Sequence, residues 1–289
     1  MTRPLIAPSP GAAVRHRRTP PASLVIGLAL IGLVLAAAGI SFVWTPFDAT
    51  LTGPDRLLGP GTQHLLGTDS LGRDILSQLL VGARTTVLVG VISVGVAAVI
   101  GVPLGVLAAT GPRWLDEVLM RVTDVVLAFP ALLLAIVFAA VWGASTVSAM
   151  VAIGIATAPA FARLSYTGTR QVLATDFVAA ARLARRSTAG IVVTHVLPNI
   201  SGTLTVQASV SFAVAVLAES GLSYLGFGAP PPTPTWGRML QEAQSVLFVS
   251  PLQALWPSVA IVVAVLGFTL LGDGLRDRFD PRQVVRDDR

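Results

Sequence analysis

The chain has 289 residues, of which 53% are hydrophobic and only 12% charged, and its formal net charge is +5. Soluble domains carry about 25% charged residues, so most of this chain is not solvated by water. Its arginines sit in gaps between apolar runs and form no nucleic-acid patch. There is no cysteine and no lysine, which excludes disulfides and thiolate metal sites, Schiff-base chemistry and the Gly-Lys-Ser/Thr of a phosphate-binding P-loop.

An Arg-bearing, Pro-rich arm over residues 1–21 precedes an apolar run, Leu24–Val43. That run is long enough to cross a bilayer and too long for the apolar region of a cleaved leader, and no small-residue cleavage site follows it. It is expected to be a retained signal-anchor helix. Five further stretches complete six predicted spans: Thr86–Ala109, Val125–Trp142, Val147–Ala162, Ile200–Ala218 and Leu252–Leu271, within a membrane domain over 22–272. The fourth is the shortest. Gly143–Thr146 leaves room only for a tight turn, so spans three and four should form an antiparallel hairpin. Pro103, Pro130 and Pro159 fall in or at the edges of spans, where neighbouring helices accommodate the freed carbonyls. Gly27, Gly32, Gly39, Gly90, Gly95, Gly101 and Gly105 suit close helix packing.

The gaps between spans differ in character. Residues 44–84 form a long polar segment in which Ser70–Gly82 is predicted as a short amphipathic helix, with Leu71, Ile75, Leu79 and Gly82 on one stripe. Residues 221–251 hold the Pro-rich run Ala229–Trp236, expected to be extended and semi-rigid. These two segments read either as caps on the bundle or as a docking surface for an extracytoplasmic partner, with Asp69, Arg73, Asp74 and Trp236 as candidate contacts. Residues 163–198 form the third long polar segment. There Thr175 or Asp176 begins a short helix that Gly190 is expected to stop. Arg182, Arg185 and Arg186 share one face by i, i+3, i+4 spacing, and Phe177, Ala180, Ala181 and Ala184 share the other. Such a helix fits a groove on another protein or the anionic headgroups of a membrane. The tail is 273–289.

The arginines assign sidedness. With the N-terminus inside, 16 arginines fall in inner segments and 4 (Arg56, Arg73, Arg84 and Arg238) in outer ones. This predicts an all-α polytopic membrane protein with six transmembrane helices and both termini cytoplasmic. His16, His64 and His195 lie in three different segments and cannot easily converge. Asp124, Glu219 and Asp273 lie at predicted span ends. An intramembrane carboxylate is a functional candidate, so Glu219, Ser220 and Asp124 are candidate path or gate residues. The alternative is that these acids snorkel or pair with an arginine, as Asp124 would with Arg121. No mid-span carboxylate supports a stand-alone secondary transporter, and no convergent acid, base and nucleophile supports a membrane enzyme.

The inner loop resembles that of inner-membrane permeases of bacterial ABC importers, whose pattern is Glu-Ala-Ala-x3-Gly-x9-Ile-x-Leu-Pro. Ala180, Ala181, Leu197 and Pro198 match it, whereas Ala179, Arg185 and His195 depart from it. Leu66–Thr86, Leu115–Pro130, Ala218–Leu240 and Leu271–Arg282 resemble, in order, the C-type subunit of the peptide/nickel branch, like the dipeptide and oligopeptide permeases. The arm over 1–21 has no such match.

The resemblance implies a type I permease fold in the cytoplasmic membrane of a bacterium. The implied partners are a homologous B-type permease, ABC ATPase subunits and an extracytoplasmic substrate-binding protein, with no nucleic acid. The chain would hold no cofactor, ATP and Mg²⁺ lying on the ATPase partners. Residues 176–190 would be the helix that couples to the ATPase. Di- or oligopeptides are the expected cargo, with nickel chelates or another small solute as the alternative. Since the family has glycine where this chain has Arg185, the turn there is expected to be ordinary right-handed helix continuing toward Gly190.

Overall fold

The structure is a computed structural model that describes residues 21–143 and 145–279. The arm over 1–20 and residues 280–289 of the tail lie outside the described residues. Among the described residues ten α-helices follow one another: α1 (Ala22–Val43), α2 (Ile75–Thr110), α3 (Arg113–Ala128), α4 (Ala131–Trp142), α5 (Thr146–Leu173), α6 (Asp176–Leu183), α7 (Thr188–Ile191), α8 (Leu197–Tyr224), α9 (Trp236–Gln244) and α10 (Leu252–Phe279). A π-helical segment, Val192–Val196, joins α7 to α8, so helix runs from Thr188 to Tyr224. Among the described residues, α1, α2, α5, the Thr188–Tyr224 helix and α10 are long and apolar enough to cross a membrane.

The third predicted span is not a straight rod. It is divided between α3 and α4, which meet at an 88° bend. Pro130 is the cause: it excludes Phe129 from the helical region, and Phe129 takes φ −87°, ψ 127°. The 12 residues of α4 rise about 18 Å, well short of the ~30 Å hydrocarbon core. The other boundaries move outward. α5 continues to Leu173 because Arg163, Ser165 and Thr169 interrupt the apolar run without breaking the helix. Its start is held by a reciprocal cap in which Ser145 Oγ accepts from the Ser148 N–H and the Ser145 N–H donates to Ser148 Oγ, both at 3.1 Å. The expected amphipathic helix at Ser70–Gly82 is instead the first two turns of α2, which begins after Asp74.

α2 packs on α5, while α1 packs on α10 and α10 on α8. Backbones approach closely at both kinds of crossing. A Cβ on Gly105 would stand 2.8 Å from the Tyr166 nitrogen, and one on Gly27 would stand 2.6 Å from the Leu271 nitrogen. Since apolar side chains gain little by leaving lipid for another helix, such small-residue contacts and the dispersion they allow hold the bundle together. One core gathers Ile75, Ala83, Val216, Trp236 and Met239, and places α9 as a lid across the ends of α2, α8 and α10.

Candidate functional site

At the arginine-rich end, α5 stops at Leu173 and the chain turns into α6. Thr175 occupies the N-cap position, but its hydroxyl donates back to the Val172 carbonyl at 2.6 Å and does not cap. Asp176 in the first turn and Arg182 in the last both suit the helix dipole. Val178 is the buried anchor of the helix, fully shielded among Ile191, Val196 and Ile200, with Ala181 and Leu197 packed alongside. Pro198 directly follows the π-helical segment within a continuous helix, where its missing N–H leaves a carbonyl of the preceding turn without its intrahelical donor.

The expected course of this loop is corrected at two points. α6 ends at Leu183, not at Gly190, and Gly190 lies inside α7, where its N–H donates to Ser187 Oγ at 3.2 Å. Arg185 is left-handed, with φ +56°. Its N–H donates to the Arg182 carbonyl at 2.9 Å, and the Arg186 N–H reaches back to the Ala181 carbonyl at 3.2 Å. That pair of bonds is the Schellman termination usually built on glycine. The turn is therefore retained although the residue is not glycine. The satisfied carbonyls and the anchored chain beyond it outweigh the steric cost of an arginine there.

With Arg185 beyond the helix end, the three arginines do not form one helical stripe. All three are exposed, and none is ion-paired among the described residues. Phe177 and Ala180 are exposed as well, and Leu183 is 87% exposed. His195 leans its ring on Phe177, with centroids 5.8 Å apart. Sequence reasoning missed Val178 as the anchor and Leu183 as the exposed tip, although Val178, Ala181 and Arg182 stand at helical spacing. Beside the loop, a cleft of ≈ 260 Å³ between α5 and α8 is lined by Thr167, Gln171, Asn199 and Thr203 among others.

The opposite end is built differently. Asp69, Arg73, Asp74 and Trp236 are all buried, so their side chains are not the exposed contacts that the docking reading of these segments would need. Their polar atoms hold the outer segment together. Asp69 accepts from the Leu71 and Arg73 N–H groups, from Arg73 Nε at 2.7 Å and from Gln78 Nε2 at 2.9 Å. Arg73 pairs on its other side with Glu242 of α9, which also accepts from Arg238 Nε at 3.0 Å. Asp74 caps α2 through the Ser77 N–H and hydroxyl, both at 2.7 Å, and meets His64 Nδ1 at 2.9 Å. Trp236 lies over Gly82, where a Cβ would stand 2.7 Å from the indole, and donates Nε1–H to the Leu79 carbonyl at 3.0 Å. Near this network, the N–H and hydroxyl of Thr50 hold the Asp48 carboxyl below its usual range. The sequence signals for α9 were the cap at Thr235 and the Arg238–Glu242 spacing of i, i+4.

The three candidate path residues do not converge. Glu219 and Ser220 are buried near the outer end of α8, where Ser223 Oγ donates to Glu219 Oε1 at 2.6 Å. Glu219 Oε2 and Ser220 Oγ have no partner among the described residues. Asp124 lies on α3 and pairs with Arg163 at 2.5 Å, not with Arg121, and both members are more than half exposed. Among the described residues no cluster of His, Asp and Glu is arranged to hold a metal ion.

Residues 101–285 match the family described as "Binding-protein-dependent transport system inner membrane component". The glutathione transport system permease protein GsiD of Pectobacterium atrosepticum is 40% identical over 90% of this chain and 87% of its own length. The dipeptide transport system permease protein DppC of Alkalihalophilus pseudofirmus is 37% identical over 89% and 85%. The di/tripeptide transport system permease protein DppC of Pseudomonas aeruginosa is 41% identical over 81% and 78%. In shape, the chain is similar to a chain of the inward-facing MetNI methionine ABC transporter, with TM-score 0.57 at 18% identity, covering 73% of this chain and 95% of that one. The fold is therefore that of a type I ABC importer permease, and the chain belongs to the family of inner-membrane permease components of binding-protein-dependent ABC importers.

Proposed function

We propose that this permease subunit carries small peptides, from dipeptides to tripeptides such as glutathione, into the cell along a path shared with a homologous second permease. The relatives named for glutathione and for di- and tripeptides, each similar over most of its length, carry this reading. The membrane domain is 22–272, with outer segments 44–84 and 221–251 facing an extracytoplasmic binding protein. The inner segment 163–198 and the tail 273–289 lie in the cytoplasm, on the side the arginines assign.

At the inner end, α6 seats in a groove of an ABC ATPase subunit. Support comes from its form: Val178 and Ala181 fasten it to the permease, while Phe177, Ala180 and Leu183 point away from it and Arg182, Arg185 and Arg186 surround the tip. ATP and Mg²⁺ act on that partner, because this chain lacks the P-loop lysine. Closure of the ATPase pair moves the α6 helices, and the transporter shifts between inward- and outward-facing states by differential binding to each. At the outer end, the buried network of Asp69, Arg73, Asp74 and Trp236 holds the shape of the surface that the binding protein meets. Glu219 and Ser220, beneath the α9 lid, belong to an outer gate.

The test is uptake by the complete importer reconstituted in liposomes with its binding protein. Labelled dipeptide, tripeptide, glutathione and nickel chelate are offered separately, with ATP inside. Peptide accumulation dependent on ATP is expected. Accumulation of the nickel chelate alone would overturn the peptide reading, and uptake by this chain without an ATPase would overturn the coupling.

A further inference from the structure

Between α9 and α10 the chain makes a turn with no charged residue, Ser245–Ser250. It is well ordered by its own backbone: the Val249 N–H donates to Val246 O at 3.0 Å and the Ser250 N–H to the same oxygen at 2.8 Å. Yet Phe248 is 100% exposed, Val249 77% and Leu247 41%. Three consecutive apolar side chains held outward by a hydrogen-bonded turn are not explained by packing within this chain.

Their place at the start of α10 points to the occupant. Phe248, Leu252, Leu255, Val259, Val262 and Leu266 are separated alternately by four and three residues and are all exposed. Those from Leu252 to Leu266 form one stripe on α10, and Phe248 stands in the turn that leads directly into that helix. The headgroup layer on each side of the hydrocarbon core is roughly 5–7 Å deep, so a turn that leads straight into an exposed apolar helix start is within reach of that layer.

The neighbouring helix makes the same statement independently. α1 runs antiparallel to α10, Gly27 lying against Leu271 and Leu24 against Gly274. The outer end of α1 therefore stands beside the start of α10, and there Phe42, Val43 and Trp44 are exposed too. Arg84 stands over the Phe42 ring at 4.0 Å and donates Nε–H to Ser41 Oγ at 2.6 Å, so a half-buried cation is held against this end of α1. Aromatic side chains at the outer ends of adjacent spans are the mark of a bilayer interface. The charges nearest the turn in sequence, Glu242 and Arg238, are paired with each other.

We infer that Leu247–Phe248–Val249 is a lipid anchor that inserts into the outer leaflet, next to the start of the α10 stripe and to the aromatic end of α1. By tying the start of α10 to the bilayer, it fixes the depth of the α9 lid that packs on α10. The inference does not depend on the cargo.

The absence of native cysteine makes the test direct. Phe248→Cys is given a nitroxide label in the complete importer, built with cysteine-free partner subunits, in phosphatidylethanolamine/phosphatidylglycerol vesicles. Collision with oxygen, which concentrates in lipid, is compared with collision with a water-soluble nickel chelate. Val262→Cys serves as the lipid reference and Leu51→Cys, exposed on the outer segment, as the water reference. An oxygen-to-nickel ratio at 248 several-fold above that at 51 and approaching that at 262 is expected. A ratio equal to that at 51 would overturn the anchor, and so would protection from both reagents, which would mean a protein covers the turn. If Phe248→Cys fails to assemble, Val249→Cys gives the same reading.

Discussion

The two ends of this permease treat polar side chains in opposite ways. At the outer end, Asp69, Arg73, Gln78 and Glu242 satisfy one another inside the protein, and Asp74 is used up in capping α2 and meeting His64. At the inner end, Arg182, Arg185 and Arg186 have no carboxylate partner among the described residues, and Leu183 projects into the open beside them. A charge paired within the chain builds shape, and its loss is felt as instability. An exposed charge beside exposed apolar groups contributes little to the chain's own stability, and its loss is felt only when a partner is present. The same residue type, arginine, therefore has opposite mutational signatures at the two ends.

The largest effect should come from Arg73→Met. It leaves Asp69 and Glu242 without their shared cation in a buried setting, which typically costs about 3–5 kcal/mol. Thermal unfolding of the purified chain in detergent should shift down markedly, and Glu242→Gln added to Arg73→Met should recover part of the loss. An unchanged melting temperature would break the comparison at its outer end. The next effect should be of the other kind. Arg182→Glu with Arg185→Glu should leave the melting temperature of the isolated chain nearly unchanged. It should weaken capture of the ATPase subunit by about 1.5–3 kcal/mol per desolvated contact, read as a shift in the binding isotherm. Loss of stability without loss of capture would reverse the assignment.

What the sequence disclosed at each end followed from the kind of signal. Span existence was legible because apolar length is a property of composition, and the six apolar stretches lie in helices apart from the break at Phe129–Pro130. The bend at Phe129–Pro130 was not, since a proline in a membrane helix is equally compatible with a straight continuation when neighbours satisfy the freed carbonyls. The end of α6 was misplaced because the rule that glycine stops helices drew the boundary to Gly190, while a tertiary anchor, Val178 among Ile191, Val196 and Ile200, had already set it. The acids and arginine of the outer segment were legible as notable residues but not as buried ones. Pairing between Arg73 and Glu242 joins positions 169 apart, and no local pattern carries that information.

A smaller effect separates packing from hydrogen bonding in the outer lid. Trp236→Phe keeps most of the apolar contact over Gly82 but removes the donor to the Leu79 carbonyl. A loss of about 1 kcal/mol is expected, the net worth of one such bond, and it should appear as faster hydrogen exchange in α9 with α6 unaffected. A change that spread to α6 would mean the two ends are one cooperative unit.

The smallest effect concerns the left-handed turn and has the opposite sign. Holding an arginine at φ +56° costs roughly 1–2 kcal/mol relative to a residue without a Cβ. Glycine at the same place gives back about 0.4–1 kcal/mol through its freer unfolded chain. Arg185→Gly should therefore stabilise the end of α6 slightly. Arg185→Ala removes the same charge but keeps the strain, so the difference between the two variants is conformational alone. The readout is local: exchange of the Arg186 amide, whose bond to Ala181 closes the turn, should be a few-fold slower in Arg185→Gly than in Arg185→Ala, each 1.4 kcal/mol being a factor of about ten in the opening equilibrium. Equal exchange in both would mean that the anchored chain beyond Arg185, and not the residue's own preference, sets the turn. Capture of the ATPase, by contrast, should fall equally in the two variants, because both lose the same cation from the exposed tip.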